Sequence, residues 1–317
     1  MPEQSEGNGP GVADVNVDKD GVIAVTPALL RGWPLPRAGG DNSKDRGKDT
    51  RGSVLVLGGS TEVPGAVLLA GTGALRAGAG KLRIAAPRDI APGLALAVPE
   101  ARVLGLPQTE GGDIAPAAAE RLVKAIEGVL AVLIGPGMLD IPTVQDLLRR
   151  LLPHVKGTAL ALDAAGLSAV SDDRAALHHL EGAAVLTPHP LELSLMLGIE
   201  QDEVEGDPLG AARRAAREAR AVVVLKGAET YIAAPDGTTY RYAEGKIGLA
   251  TSGSGDTLAG VVAGLLARGA EPARAAVWGV YLHGEAGNTM TRRMGTLGFL
   301  ARELLAEIPA LMARFDD

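Results

Sequence analysis

Residues 53–86 read SVLVLGGSTEVPGAVLLAGTGALRAGAGKLRIAA. A short apolar run at 53–57 ends in the turn Gly58-Gly59-Ser60, a helical stretch at 65–79 opens behind Pro64, and a second apolar run occupies 81–86. Proline suits the first turn of a helix, where its missing N–H has no partner to lose. Runs that are apolar throughout, rather than alternating, belong to strands covered on both faces. The stretch therefore reads as a βαβ unit with parallel strands.

The rhythm continues outward from there. Further strands are expected at 131–134, 158–162, 183–186 and 221–225, with helices at 116–127, 142–152 and 207–220 between them. Runs at 229–233 and 238–242 flank Pro235-Asp236-Gly237 and read as a hairpin. Three helical stretches, 253–267, 272–292 and 297–314, close the chain. This pattern predicts an α/β protein built on a doubly wound, mostly parallel sheet with helices on both faces. Residues 45–317 are expected to form a single domain, since no linker or repeat divides them. Residues 1–44 are expected to be disordered or loosely structured, because the polar lead-in and the Gly, Asp, Lys and Arg of 37–52 give no periodic apolar pattern.

Composition narrows the function. Among 317 residues there are 43 Gly and 20 Pro but only 2 Phe, 2 Trp and 4 Tyr, so the core must be Ala, Val and Leu joined by tight turns. The absence of cysteine excludes disulfides, thiolate metal sites and a cysteine nucleophile. A net charge of −7 argues against a nucleic-acid or membrane surface while allowing a local pocket for a small anion. The start of the chain is polar and acidic, unlike a secretory signal, and no apolar run approaches a membrane span. Cytoplasm is the default location.

Three segments could carry chemistry. Thr251-Ser252-Gly253-Ser254-Gly255-Asp256 leads into an apolar helix. Its glycines let several N–H groups approach a phosphate, and the helix start adds partial positive charge. Asp256 would lie in the first turn, placed to take a proton from an attacking hydroxyl. Taken alone, such a run more often marks a helix cap. The second segment, Val222–Leu225 followed by Lys226 and Gly227, is a strand ending in a cation; ligands of open α/β sheets gather at that end. The third, Thr187-Pro188-His189-Pro190, holds a histidine between two prolines that fix its backbone. His178-His179 has no such frame and reads as surface. The turns at Gly58-Gly59-Ser60, Pro64-Gly65-Ala66 and Gly135-Pro136-Gly137 are individually weak signals. A nicotinamide-dependent dehydrogenase is disfavoured, because no strict GxGxxG opens the first helix and no acid ends the second strand.

Taken in order, these pieces resemble the ADP- or ATP-dependent NAD(P)H-hydrate dehydratase family of the ribokinase-like superfamily. The carriers are GSVLVLGGS at 52–60, PGAVLLAGTGALRAGAG at 64–80, LIGPGM at 133–138, LTPHPLEL at 186–193, VVLKGAET at 223–230, ATSGSGDTLAGVVAGLLARG at 250–269 and GVYLHGEAG at 279–287. The resemblance implies a ribokinase-like, three-layer α/β/α fold and a repair reaction on the S epimer of hydrated NADH or NADPH. In it, ADP or ATP phosphorylates the hydroxyl, phosphate leaves, and the dihydronicotinamide ring returns. The same resemblance makes Asp256 the catalytic base, with Gly253, Ser254 and Gly255 stabilising the transferring phosphoryl group. It places Ala66, Gly137 and His189 against the hydrate, and Lys226, Gly227, Ala228, Glu229 and Thr230 with Gly255 around the nucleotide. It also implies Mg²⁺, with Glu192 the candidate ligand and no other named, and a homo-oligomer, a tetramer in many relatives. Small-molecule substrates are the only partners it calls for.

The chain departs from the family's usual pattern at Ala165 and Ser168, where an acid and an amide are common, at Leu191 and Ser252, where glycines are, and at Glu244-Gly245-Lys246-Ile247-Gly248. A shifted substrate or nucleotide preference is the expectation there. The companion epimerase domain of some relatives is not expected within this chain. Two other readings stand beside the dehydratase: a ribokinase-fold kinase of a vitamin precursor such as a hydroxymethylpyrimidine or hydroxyethylthiazole, and an inactive nucleotide-binding regulator.

Overall fold

A computed structural model describes residues 16–36 and 51–316. The strands are β1 (Val22–Ala24), β2 (Ser53–Leu57), β3 (Lys81–Pro87), β4 (Ala101–Leu106), β5 (Ala131–Ile134), β6 (Ala159–Leu162), β7 (Ala184–Leu186), β8 (Val222–Leu225), β9 (Thr230–Ala233) and β10 (Thr239–Tyr242). They form one sheet in the order β1-β10-β9-β8-β7-β6-β5-β2-β3-β4. From β4 across to β8 every pairing is parallel, and the β9–β10 hairpin adds antiparallel strands at the β8 edge.

Side-chain alternation along each strand splits the interior into two apolar layers. Val54, Val56, Leu133, Ala161, Val185 and Val224 face one set of helices, and Leu55, Leu57, Val132, Ile134, Leu162 and Val223 face the other. The first layer is covered by Pro64–Arg76, Ser254–Ala267, Pro272–Met294 and Ala301–Met312, the second by Ala119–Ile126, Ile141–Leu151, Pro190–Leu197 and Pro208–Ala219. This is the three-layer α/β/α arrangement expected of the sequence. With so few aromatics, the layers close by bringing backbones together. A Cβ on Gly260 would lie 2.1 Å from the carbonyl oxygen of Ala70, and one on Gly264 would lie 2.4 Å from that of Ala74.

The described residues also depart from expectation. Within the segment 1–44, read as loose, residues 22–24 form β1 against β10, and Pro27–Gly32 is a helix with Leu29 and Leu30 buried. Trp278 Nε1 donates to the carbonyl of Trp33 at 2.9 Å, fastening this segment to the long helix. The polar lead-in through residue 15 and the loop at 37–50 lie outside the described residues. Strand β4 was not anticipated: it is an edge strand with Arg102 and Gly105 inside it and a largely half-exposed pattern. The last helix begins at Ala301, four residues later than its apolar pattern, since Gly295 and Gly298 both take positive φ. His178, read as surface, is half-buried, and its Nε2 lies 2.8 Å from the carbonyl of Glu218. No helix among the described residues is long and apolar enough to cross a membrane.

Candidate active site

The chain adds β3 and β4 on one side of β2 and then returns to place β5 on its other side. Connections leaving adjacent strands in opposite directions open a crevice at their carboxyl ends, where ligands of such sheets bind. Both glycine turns expected to line the rim meet there. Gly59 donates its N–H to the carbonyl of Pro136 at 2.7 Å. Gly137, with φ +72°, is packed so closely that a Cβ would lie 2.6 Å from the Val63 carbonyl and 2.9 Å from the Ala66 Cβ. Ala66 and Gly137 are thus immediate neighbours.

Further along the rim, the helix Ser254–Ala267 starts behind Gly253, whose φ of +84° carries the backbone through the left-handed region. No side chain caps this helix start. The first N–H groups of a helix have no intrahelical acceptor, so an uncapped, glycine-lined start is suited to an anion. Leu69, one turn beyond Ala66, packs here: a Cβ on Gly253 would come within 2.4 Å of its Cδ1. The helix Pro64–Arg76 therefore joins the crevice to this glycine-lined turn.

Lys226 ends β8 and faces that turn, its Nζ lying 3.5 Å from where a Cβ on Gly255 would stand. Its backbone N–H donates to the carbonyl of Pro188 at 2.8 Å, tying two of the expected segments together. The ammonium donates to Asp163 Oδ1 at 2.9 Å and lies 3.8 Å from Glu192 Oε2. Burial works to lower the proton affinity of Lys226, but Asp163, Glu192 and Asp256 outweigh it and hold the group above its ordinary value, fully charged. Asp256 lies in the first helical turn. Burial, with the charge of Asp163, pushes its carboxyl up to about 6 against the pull of Lys226. Such a group is ionised at neutral pH yet far more basic than an ordinary aspartate.

His189 caps the helix Pro190–Leu197. Its Nδ1 accepts the N–H of Glu192 at 3.3 Å, and its own N–H donates to Glu192 Oε2 at 2.8 Å. Its Nε2 lies 3.5 Å from Glu192 Oε1, so the candidate metal ligand has one oxygen bonded to the His189 backbone N–H and the other close to its ring. Among the described residues no three metal-ligating side chains gather.

A cavity of about 840 Å³ opens beside the turn, lined by His189, Lys226, Gly227, Ala228, Thr230, Ser254 and Gly255 among others. Most residues expected around a nucleotide thus share one wall. Glu229 is not among the lining residues; its carboxylate takes the Tyr231 hydroxyl at 3.1 Å and lies 3.5 Å from Arg241. Gly253 and Asp256 shape the turn behind the lining, and Ala66 and Gly137 lie at the crevice rather than in this cavity.

Two residues of the site were not singled out from sequence. Asp163 follows β6, buried, and accepts the Thr187 hydroxyl at 2.7 Å as well as Lys226. His283, within the quoted GVYLHGEAG run, lines the cavity with its Nε2 2.9 Å from Ser254 Oγ. Burial pushes its imidazole down to about 4, a hydrogen bond to Ser254 opposing and Lys226 assisting, so the ring is neutral at physiological pH. A signal existed for each: an acid directly after an apolar strand, and a histidine directly after the uncharged, largely apolar run 275–282 of a helix.

Known proteins share this sequence and this fold. Over 293 residues the chain is 46% identical to the ADP-dependent (S)-NAD(P)H-hydrate dehydratase of Xanthomonas campestris, covering 92% of this chain and 97% of that one. Its backbone matches the crystal structure of the ADP/ATP-dependent NAD(P)H-hydrate dehydratase of Bacillus subtilis, co-crystallised with ATP and Mg²⁺, with a TM-score of 0.76 and 30% identity over 96% of this chain and all of that one. A ribokinase-like superfamily protein of Enterococcus faecalis shares the fold at a TM-score of 0.80 and 24% identity, over 95% of this chain and 98% of the other. The family model for NAD(P)H-hydrate dehydratase matches residues 54–310, the span that holds the crevice, the glycine-lined turn and the cavity, and the chain belongs to that family.

Proposed function

We infer that this protein dehydrates the S epimer of hydrated NADH or NADPH, using ADP or ATP as phosphoryl donor. The observation that carries the reading is the placement of Asp256, a carboxyl held at about 6, in the uncapped first turn that faces Lys226 and the large cavity. In this reading the adenine nucleotide occupies the cavity against Lys226, Gly227, Ala228 and Thr230, and its terminal phosphoryl group rests on the N–H groups of Gly253, Gly255 and Asp256, that of Ser254 being given to the Thr251 carbonyl. The hydrate lies in the crevice by Ala66 and Gly137, near His189.

Asp256 takes the proton of the substrate hydroxyl as that oxygen attacks the terminal phosphorus, and the bond from phosphorus to the nucleotide's bridging oxygen breaks. The helix start and Lys226 stabilise charge on the transferring group. The ring nitrogen then pushes its electron pair toward the carbon, the C–O bond breaks with its electrons leaving on phosphate, and loss of a proton from the adjacent carbon restores the dihydronicotinamide. Phosphorylation is needed because hydroxide leaves poorly.

The donor set fits a Mg²⁺ carried on the nucleotide phosphates better than one caged by protein, since Mg²⁺ commonly keeps water and substrate phosphates as most of its ligands. When bound it would neutralise phosphate charge. A cytoplasmic homo-oligomer completes the reading, testable by sedimentation.

The direct test incubates the protein with hydrated NADH, Mg²⁺ and either ADP or ATP while dihydronicotinamide absorbance is followed. Recovery that needs nucleotide and is lost in Asp256→Asn is expected. A stable phosphate ester would instead identify a vitamin-precursor kinase, and nucleotide binding without turnover an inactive regulator.

A further inference from the structure

Asp163 is fixed from several sides. Its side chain is 3% exposed and accepts both the Lys226 ammonium at 2.9 Å and the Thr187 hydroxyl at 2.7 Å. Its carbonyl accepts the N–H of Gly166 at 2.9 Å, and a Cβ on Gly135 would lie 1.8 Å from that carbonyl oxygen. One residue thus touches the loops after β5, β7 and β8. Lys226 sits between acids yet pairs with Asp163 and, at 3.8 Å, with Glu192, while no ion pair joins it to Asp256. A lysine on a flexible four-carbon stem moves readily to the best available carboxylate.

Resting on the reading of Asp256 as the base, we propose that Asp163 is a positioning residue for phosphoryl transfer: it anchors Lys226 toward the phosphate-binding turn and thereby keeps Asp256 unpaired. Without that anchor, Lys226 swings to Asp256, neutralises the base and withdraws its charge from the transferring phosphoryl group. The groups that set the balance are Asp163 and Lys226, which face Asp256, and Glu192 and His283, which face Lys226 from the neighbouring helices.

The test is Asp163→Asn in the full chain, which keeps the shape and an acceptor oxygen but removes the charge. Turnover of hydrated NADH should fall about 100-fold, the scale of a misplacement of about 1 Å in a catalytic assembly. The acid limb of kcat/KM should move to lower pH, because Asp256 loses a repelling neighbour and gains Lys226. The carboxyl titration of Asp256, followed by ¹³C NMR without nucleotide, should move the same way. Loss of the Asp163 charge by itself also lowers both titrations, so Thr187→Val, which keeps that charge, separates the placement of Lys226 from plain repulsion; an unmoved Asp256 titration in Asp163→Asn overturns the proposal whatever the turnover does. If the variant does not fold, Thr187→Val, which frees the Asp163 carboxylate from one anchor and keeps its charge, should lower kcat with KM for the hydrate unchanged; unchanged kcat overturns it equally. A wild-type protein inactive on hydrated NADH removes the reaction reading, and the NMR titration of Asp256 in Thr187→Val, where the Asp163 charge is intact, still decides the proposal: a lowered titration means that Lys226 has moved to Asp256, and an unmoved one overturns it.

Discussion

Replacing Asp256 with asparagine should abolish turnover and stabilise the protein. The carboxyl is raised from the ordinary 3.8 to about 6, chiefly by burial. At about 1.36 kcal/mol per unit, an ionised Asp256 therefore costs the folded state about 3 kcal/mol relative to a group free in water. The sign follows from proton counting. Between about pH 4 and 6 the folded chain binds the proton that the unfolded chain has released, so stability falls as pH rises through that window, and the full penalty applies above it. Asparagine carries no charge at any pH. Urea unfolding should show Asp256→Asn more stable than wild type by about 1–3 kcal/mol at pH 8, the lower figure allowing for the desolvation that asparagine also suffers. Near pH 4 the gain should shrink toward zero. A variant no more stable than wild type at pH 8, or equally stabilised at pH 4, would refute the assignment of Asp256 as a strained, buried base.

Other substitutions probe the surroundings. Gly260→Ala places a methyl carbon 2.1 Å from the Ala70 carbonyl and should destabilise the chain by about 1–3 kcal/mol in thermal or urea unfolding. His283→Leu removes the partner of Ser254 Oγ from the cavity wall and should raise KM for ADP, while His283→Gln, which keeps a hydrogen-bonding group, restores much of the affinity. Leu30→Ala truncates a fully buried side chain in the amino-terminal segment and should destabilise by about 2–5 kcal/mol; a neutral result would mean that residues 22–33 are not part of the folding unit.

The central strands were legible because a parallel strand covered on both faces writes itself as an uninterrupted apolar run, as at 53–57 and 222–225. Edge strands write no such run. β4 contains Arg102 and Gly105, and β1 is three residues long after a polar approach, so both depend on partners distant in sequence. The uncapped helix start at Gly253 was legible through its glycines. Asp163 was harder to weigh, because its importance lies in Lys226 and Thr187, which are brought to it only when β6, β7 and β8 pair. The departures from the family pattern divide by burial. Leu191 is 48% exposed and Ser252 lies at the surface, so neither adds bulk to the interior. Ala165 and Ser168 are both buried, and the Ser168 hydroxyl is unpartnered, which marks this pair as the departures with structural consequence.

The charges at the site point to one further step. Asp163, Glu192 and Asp256 all act on a single cation, Lys226, so three carboxylates stand behind the wall of the cavity proposed for a polyanionic nucleotide, and none of them lines it. Attraction for the phosphates would then come from the helix start, Lys226, Lys246 in the cavity lining and any cation that travels with the phosphates. Each phosphate charge settling on the turn also adds repulsion next to Asp256, and a like charge nearby raises the proton affinity of a carboxylate. The nucleotide therefore makes Asp256 a stronger base than the value of about 6 it has alone. Because kcat/KM reports the free enzyme and kcat the bound complex, the acid limb of kcat should lie at higher pH than that of kcat/KM. Coincident limbs would mean that the charge of the bound phosphates does not reach Asp256, and that the transferred group lies elsewhere along the rim.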